Sequence, residues 1–516
     1  MEAPAQSSHK PFGSSDFAHR AFDAGLTHER KRLGATHTLQ INGRSTRSAA
    51  ATIQDLSPSD QRTLIGRFQQ ARPDHVKKAV KAAQGAFPFW RELGWEQRVS
   101  FLRKVAEVME KHAHDFGALL CLETGKPRHQ AMTEVQDSIH LIHLQCQQME
   151  ACQGFRGTLA ATGSMRAYNT MEARGVWGIL ASSQAPLLTA TGMIAAATLT
   201  GNTVVFKPAS DAAFIGLRLY DLFPAAGFPV GIVNYITGPG DTTGSLLAGH
   251  ADLDGLAFAG SRTAGVSVLD QFGRDTQRPC LLHMSANNPV IIMPTSPLED
   301  TASHVLKHTC QSAGQGTESW SRVYVHRSIA QDFIEALVEE ACAFRVGNPE
   351  LPETQMGPLR NAHAVETFRH TVKQAIKDGR VVCGGNDLQT GDLRHGHFVE
   401  PTVVIELDRA SPLQREPYPV PILTVTEIKS LEDGIRLANQ SPYGVAAGIY
   451  SQVTGEQQQF YDAIQAGTLY CNHHPGESGG MPASGGWKAS SSSGKSMSGP
   501  YFLPQFMKEQ TRHIRW

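Results

Sequence analysis

Residues Ala313–Val325, AGQGTESWSRVYV, place a Gly-Gln-Gly turn at the entrance to an apolar, strand-like run. A turn of this kind presents a side chain at the edge of a buried strand, where a nucleophile could stand. The side chains on offer are Thr317, Glu318 and Ser319. A free cysteine ionises near pH ~8.5, within reach of neutrality; an aliphatic hydroxyl does not ionise there without a dedicated base. The nearest cysteine is Cys310, before the turn and near the end of a predicted helix. Helical rise alone puts it on the order of 10 Å from Thr317. Cys310 is therefore expected to be a core residue.

Two other patches have ligand-binding chemistry. Lys207, in FKPAS, ends a predicted buried strand, at the edge where doubly wound sheets bind ligands. It fits either a ligand contact or a lysine snorkelling to solvent. In FAGSRTAG, Gly260 and Ser261 fall between a strand and a helix, where backbone N–H groups and the helix dipole can hold a phosphate, and Gly265 permits close packing. The chain has 22 histidines but no HExxH, and the adjacent pair His473–His474 does not make a metal site. No metal is expected, and the histidines are assigned to surface and loops.

The elements that carry these residues divide by texture. The first residues, to about 36, are polar and form an arm with one or two short helices. VKKAVKAAQGAFPFW and EQRVSFLRKVAEVMEKHAHDFGALLCLETGK repeat apolar residues at three- and four-residue spacing, and helix continues to about Gly154. From Gly175 strands and helices alternate through GVWGILAS, PLLTATGMIAAATLT, NTVVFKPAS and LDGLAFAGS, which predicts a parallel, doubly wound sheet. A second α/β region runs from near Cys280 to about Tyr470. HHPGESGGMPASGGWKASSSSGKSMSG has the composition of a linker, and the apolar tail PYFLPQFMKEQTRHIRW is expected to dock on another surface such as a second subunit.

Composition bounds the function. With 516 residues, 41% apolar and 18% charged, the chain is an ordinary globular protein of two or three packed units. A net charge of −1 supplies no reason for nucleic acid or anionic membrane as partner. The eight scattered cysteines form no CxxC, the start has no apolar h-region, and no apolar run approaches the ~20 residues of a membrane span. These features point to a reducing compartment, the cytoplasm.

In order along the chain, LETGKP, TATGMIAAATLTGNTVVFKPAS, GFPVGIVNYITGPGD, DGLAFAGSRTAG, SRVYV, MGPL, FVEPTV, YGVAAGIYS and GGWKASSSSGKS resemble the NAD(P)-dependent aldehyde dehydrogenase superfamily, from about residue 40 to 515. The HKPF…DF arm and the GGWK…YFLPQFMKEQ ending are most similar to its L-glutamate γ-semialdehyde (1-pyrroline-5-carboxylate) branch. The resemblance implies an α/β fold with a Rossmann-type cofactor domain, an α/β catalytic domain and an oligomerisation flap. Mapped here, these are 37–154 with 173–282, then 283–470, then 155–172 with 497–516; 1–36 is the arm and 471–496 the substrate and cofactor loop. It implies NAD or NADP as cofactor, with Lys207 on the adenosine ribose, Gly240 of TGPGD at the adenine pocket, and Gly260, Ser261 and Gly265 at the pyrophosphate turn. It also implies a homo-oligomer, or a hetero-oligomer with a related enzyme.

The same resemblance locates what has changed. The family's loop cysteine becomes Thr317. Its ELGGKNP becomes HMSANNP, so His283 stands at the water-activating glutamate, and Ser285 and Ala286 replace two glycines. A histidine with an ordinary pKa near 6.5 can serve as a base. PWNFP becomes SSQAP, putting Gln184 at the oxyanion asparagine, and one extra methylene moves its amide by roughly 1.5 Å. EEIFGP becomes EPYPVP, with Pro417 at the ribose glutamate, Pro419 at the phenylalanine and Glu416 one step away; Ser484 replaces an aromatic residue. The expectation is a pseudoenzyme that keeps a dinucleotide pocket but has lost thioester-type aldehyde oxidation. It would serve a regulatory or scaffolding role and bind a dinucleotide and a small carbonyl or amino-acid-like ligand. The alternatives are an active L-glutamate γ-semialdehyde dehydrogenase of proline catabolism, with Cys310 as displaced nucleophile, or a hydrolase pairing His283 with Thr317 or Ser319.

Overall fold

The runs VWGIL, TVVFK and GLAFA become strands buried at every position in the computed structural model. Parallel strands covered by helices on both faces have this texture. The structure describes residues 16–162, 164–273, 278–473 and 485–515. Ser484, His474 and the first residues of the arm lie outside them.

Two seven-stranded sheets form the body. In the first, the spatial order is Cys280–His283, Gly255–Ala259, Val176–Leu180, Thr203–Lys207, Val233–Tyr235, Leu39–Ile41 and Arg44–Thr46. The first five strands run parallel and the last two antiparallel. The chain proceeds outward in opposite directions from Val176–Leu180, which creates a switch point at the carboxyl ends of Leu180 and Ala259. Crevices for ligands open at such points. In the second sheet, Asn288–Ile292 and Trp320–His326 are central, and the antiparallel strand Arg380–Cys383 forms one edge.

Helix Pro186–Leu199 (PLLTATGMIAAATL) is buried along nearly its whole length, and it leads into strand Thr203–Lys207 as its apolar run predicts. Small residues let neighbours approach closely: a Cβ on Gly192 would press on Leu141 and Met497. Helix ends carry the expected caps. Ser261, Asn361 and Ser430 each accept a backbone N–H of the first turn, and Gly125, at φ +74, closes helix Ala113–Thr124.

One reading needs correction, that the tail docks on another surface. Helix Asp16–Arg30, within the expected arm, buries Phe22 and Leu26 in the main core. The Ser-rich segment is held to the body where it is described. Trp487–Lys488 pairs with Tyr443–Gly444, and Ser490 and Ser492 donate to the Ser285 and Cys280 carbonyls. The apolar tail docks first on its own chain. Phe502, Leu503 and Phe506 are fully buried, with the Phe506 ring 4.4 Å from Trp177. Tyr501 is exposed, and so is the last strand, Met507–Arg515, beyond its first residue; it pairs with Met165–Ala173 in a three-stranded antiparallel sheet. The tail's aromatic residues are distant in sequence from the strand they cover, and their composition could not say whose surface they meet. Phe506→Ala should therefore cost about 3–5 kcal/mol of stability, read by denaturant unfolding. A loss below about 1 kcal/mol would mean the tail is not part of this core.

Candidate functional site

The carboxyl ends of the first sheet face the turn after Cys310 across a cleft of about 790 Å³. Gln184, Lys207, Gly240, Gly260, Ser261 and Thr317 all line it, though they come from separate segments of the chain. Gly265 and His283 do not. Gly265 lies in helix Arg262–Phe272 against Met284, where a Cβ would press on the methionine sulfur.

On the first-sheet side, Lys207 is buried and its Nζ donates to the Pro208 carbonyl at 2.8 Å. Burial lowers its pKa to about 8, while Asp211 and Asp241 nearby favour the charge. Gly240 faces open space, since a Cβ there would touch nothing within 4 Å. The amino end of helix Arg262–Phe272 opens beside Gly260. Its donors are partly spoken for: Ser261 Oγ accepts the Ala264 N–H at 3.2 Å, and Ser285 Oγ accepts the Arg262 N–H at 3.1 Å. Two of the N–H groups expected to hold a phosphate are therefore engaged within the protein. The helix dipole remains directed at the cleft.

The opposite wall holds the turn rigidly. Gly314 has φ +72 and packs on the Val420–Pro421 backbone so closely that a Cβ has no room. Asn288 Nδ2 donates to the carbonyls of Thr317 (2.9 Å) and Ser319 (3.1 Å), and Asn288 Oδ1 accepts the Ala446 N–H at 3.0 Å. Ser319 Oγ donates to the Gln311 carbonyl at 3.3 Å, which leaves Thr317 as the hydroxyl at the head of the turn. Pro417 and Pro419 complete this wall, while Tyr418 turns inward and donates to the Ser321 carbonyl at 2.7 Å. The Glu416 backbone is tied to Asn287, and Glu416 does not line the cleft.

None of the eight cysteines lines the cleft. Cys310 is buried in the core of the second sheet, and burial pushes its thiol far above the usual range. His283 is mostly buried beside the Phe502 ring, 5.9 Å between centroids, with Nδ1 sealed and no hydrogen-bond partner. Burial lowers its pKa to about 4. His283 makes no hydrogen bond to Thr317 or Ser319 and lies outside the cleft lining, so the geometry does not supply the hydrolase pairing.

The assignment of all histidines to the surface also fails. His308 is buried, edge-on to Trp320, and its Nε2 meets the Glu318 carbonyl at 2.8 Å. Its spacing from Thr301 and Val305, on one face of its helix, was the available signal. Sequence reasoning also missed Arg360 and Asn361. Both line the cleft and reach across to Asp211, Asn361 Nδ2 at 2.9 Å and Arg360 Nε at 3.8 Å. Among the described residues one group, His28, Glu29 and Asp115, brings three metal-ligand atoms together. Arg32 and Arg218, each 3.5 Å from Glu29, already balance its charge, and none of the three lines the cleft.

The comparisons with known proteins agree with this architecture. The family model described as "Aldehyde dehydrogenase family" matches residues 45–512. A protein named 1-pyrroline-5-carboxylate dehydrogenase 1, from Halalkalibacterium halodurans, is 27% identical over 513 residues, covering 98% of each chain. A 1-pyrroline-5-carboxylate dehydrogenase from Thermus, solved with bound NAD, superposes with a TM-score of 0.94 at 24% identity over 100% of both chains. Lactaldehyde dehydrogenase from Escherichia coli gives 0.87 at 26% identity, over 93% of this chain and 100% of its own. Among the described residues no helix is long and apolar enough to cross a membrane.

A buried neutral histidine makes stability depend on pH with a definite sign. The unfolded chain binds a proton near pH 6.5 that the folded His283 refuses until about pH 4. Its contribution is therefore complete above ~6.5 and is lost as pH falls toward 4, about 2 kcal/mol between pH 7.5 and 5. His283→Leu should lose less stability than the parent over that interval in denaturant titrations at the two pH values. Equal losses would show that the imidazole is solvated.

Proposed function

The chain belongs to the aldehyde dehydrogenase family, and on that premise we propose that it binds a dinucleotide but no longer oxidises aldehydes through a thioester. Its role is that of a regulatory, scaffolding or ligand-sensing subunit in the cytoplasm, as a homo-oligomer or in complex with an active relative. The observation that carries this reading is the absence of any cysteine from the cleft, with Thr317 at the head of its turn.

The donor set fits a dinucleotide at the adenosine and phosphate end. A buried ammonium at Lys207, an open floor at Gly240 and a helix amino end beside Gly260 and Ser261 are groups that take ribose hydroxyls and phosphate. The charge-assisted hydrogen bond from Lys207 supplies attraction in a site of low dielectric. When bound, a nicotinamide dinucleotide supplies a hydride acceptor.

The opposite end lacks what would use it. Capture of an aldehyde needs a nucleophile that then yields a good leaving group, and an alkoxide from Thr317 is a poor substitute for a thiolate. Release of the acyl group needs a base beside the cleft, and His283, held neutral by burial and packed on Phe502, does not line it. Gln184 keeps an amide where an oxyanion would be stabilised, displaced by one methylene. A displaced nucleophile at Cys310 is disfavoured by its burial and its raised pKa.

Calorimetric titration tests the binding half: NAD⁺ or NADP⁺ should bind, and Lys207→Met should weaken the tighter of the two by roughly tenfold, the worth of one charge-assisted hydrogen bond. No heat with either dinucleotide would reject the pocket. Intact-mass spectra after mixing with NAD⁺ and a panel of aldehydes, L-glutamate γ-semialdehyde included, should show no acyl adduct. An adduct mapped to any cysteine would reject the loss of thioester chemistry.

A further inference from the structure

Away from the cleft, two thiols meet. Cys342 sits in the last turn of helix Ala330–Ala343 and Cys383 ends the edge strand Arg380–Cys383, with their sulfurs 3.3 Å apart. Neither is bonded covalently; Cys342 is exposed and Cys383 half-buried. The geometry points to a peroxide-responsive thiol pair, in which Cys342 and Cys383 form a disulfide that joins the helix to the edge of the second sheet.

A disulfide needs its sulfurs about 2.05 Å apart, so the pair must close by about 1.2 Å, within the reach of side-chain rotation. The element contacts are already made, because the helix packs on this strand. The strand is the outermost of its sheet and its register is irregular between Val381 and Cys383. Its backbone is therefore less constrained than that of a central strand. Among the described residues this is the one pair of thiols in hydrogen-bond contact.

The two cysteines have unequal roles. Cys342 meets solvent, so its thiolate attacks an oxygen of hydrogen peroxide. The O–O bond breaks, water leaves, and Cys342 becomes a sulfenic acid. The Cys383 sulfur then attacks the Cys342 sulfur. The S–O bond breaks, and hydroxide leaves as water with the Cys383 proton. Two thiols and one peroxide thus yield a disulfide and two waters, the sulfurs supplying both electrons. Burial and the neighbouring Cys342 thiol push the Cys383 pKa up to about 12 and keep it from reacting first; its place in the second step rests on its sulfur lying 3.3 Å from that of Cys342.

The bond would close a loop that holds helix Ala362–Asp378 and also Arg360 and Asn361 of the cleft wall. Cross-linking restricts the unfolded chain more than the folded one. The signal is therefore measurable in stability without any assay of activity, and it stands independently of the proposed function.

Full-length protein, reduced and then treated with stoichiometric hydrogen peroxide, should yield on peptide mapping a linked fragment containing Cys342 and Cys383. Its melting temperature should rise by about 1–4 °C and return with dithiothreitol. Cys342→Ser, an exposed substitution, should abolish both effects; Cys383→Ser should leave Cys342 to advance to sulfinic acid. The proposal is overturned if wild-type Cys342 over-oxidises while Cys383 stays free, if the linked fragment contains Cys310 or joins two chains, or if Cys342→Ser still acquires the thermal shift.

Discussion

The Asn288 carboxamide holds together the three segments on which the cleft depends. Its amide nitrogen reaches the Thr317 and Ser319 carbonyls, and its oxygen takes the Ala446 N–H of a neighbouring strand. A buried amide with donors and acceptor all satisfied is geometrically demanding, so the turn has little freedom to present a different residue. Gly314 reinforces this, wedged against the Val420–Pro421 backbone at a φ that favours glycine. The position at the head of the turn is thus fixed by the scaffold, and its chemistry is fixed by whichever side chain stands there. In this chain that side chain is Thr317.

The departures around the cleft are coupled through shared neighbours. Ser285, through its hydroxyl, takes an N–H from the helix amino end that faces the cleft. Its carbonyl accepts from Ser490, and the adjacent Met284 N–H reaches the Ser490 carbonyl. His283, one residue further back, is packed against Phe502 of the tail. The strand that ends at His283 is thus knitted to the carboxyl-terminal segment and contributes packing. On the first-sheet side, Lys207, Gly240 and Gly260 line the cleft. On the proposed reading the two walls serve different purposes, so one can change while the other stays.

The sheets were legible because fully buried parallel strands and Ala-rich buried helices leave near-continuous apolar runs, as in TVVFK and PLLTATGMIAAATL. Thr317, Gln184 and Lys207 line one cleft, and each sits near an element end whose position follows from the strand before or after it. The failures share a different cause. Whether His283 is sealed depends on Phe502, and whether the tail is core or interface depends on Trp177; both partners are remote in sequence. Asp211 with Asn361, and Cys342 with Cys383, are likewise juxtapositions across separate elements that no local spacing encodes.

One measurement bears most directly on the central claim that the cleft has no means of capturing a carbonyl as a thioester. Purified protein with saturating NAD⁺ or NADP⁺ and L-glutamate γ-semialdehyde, followed by absorbance of the reduced nicotinamide, should show no aldehyde-dependent signal above that of a sample without protein. Steady turnover within the ordinary enzyme range of about 1–10³ s⁻¹ would contradict it.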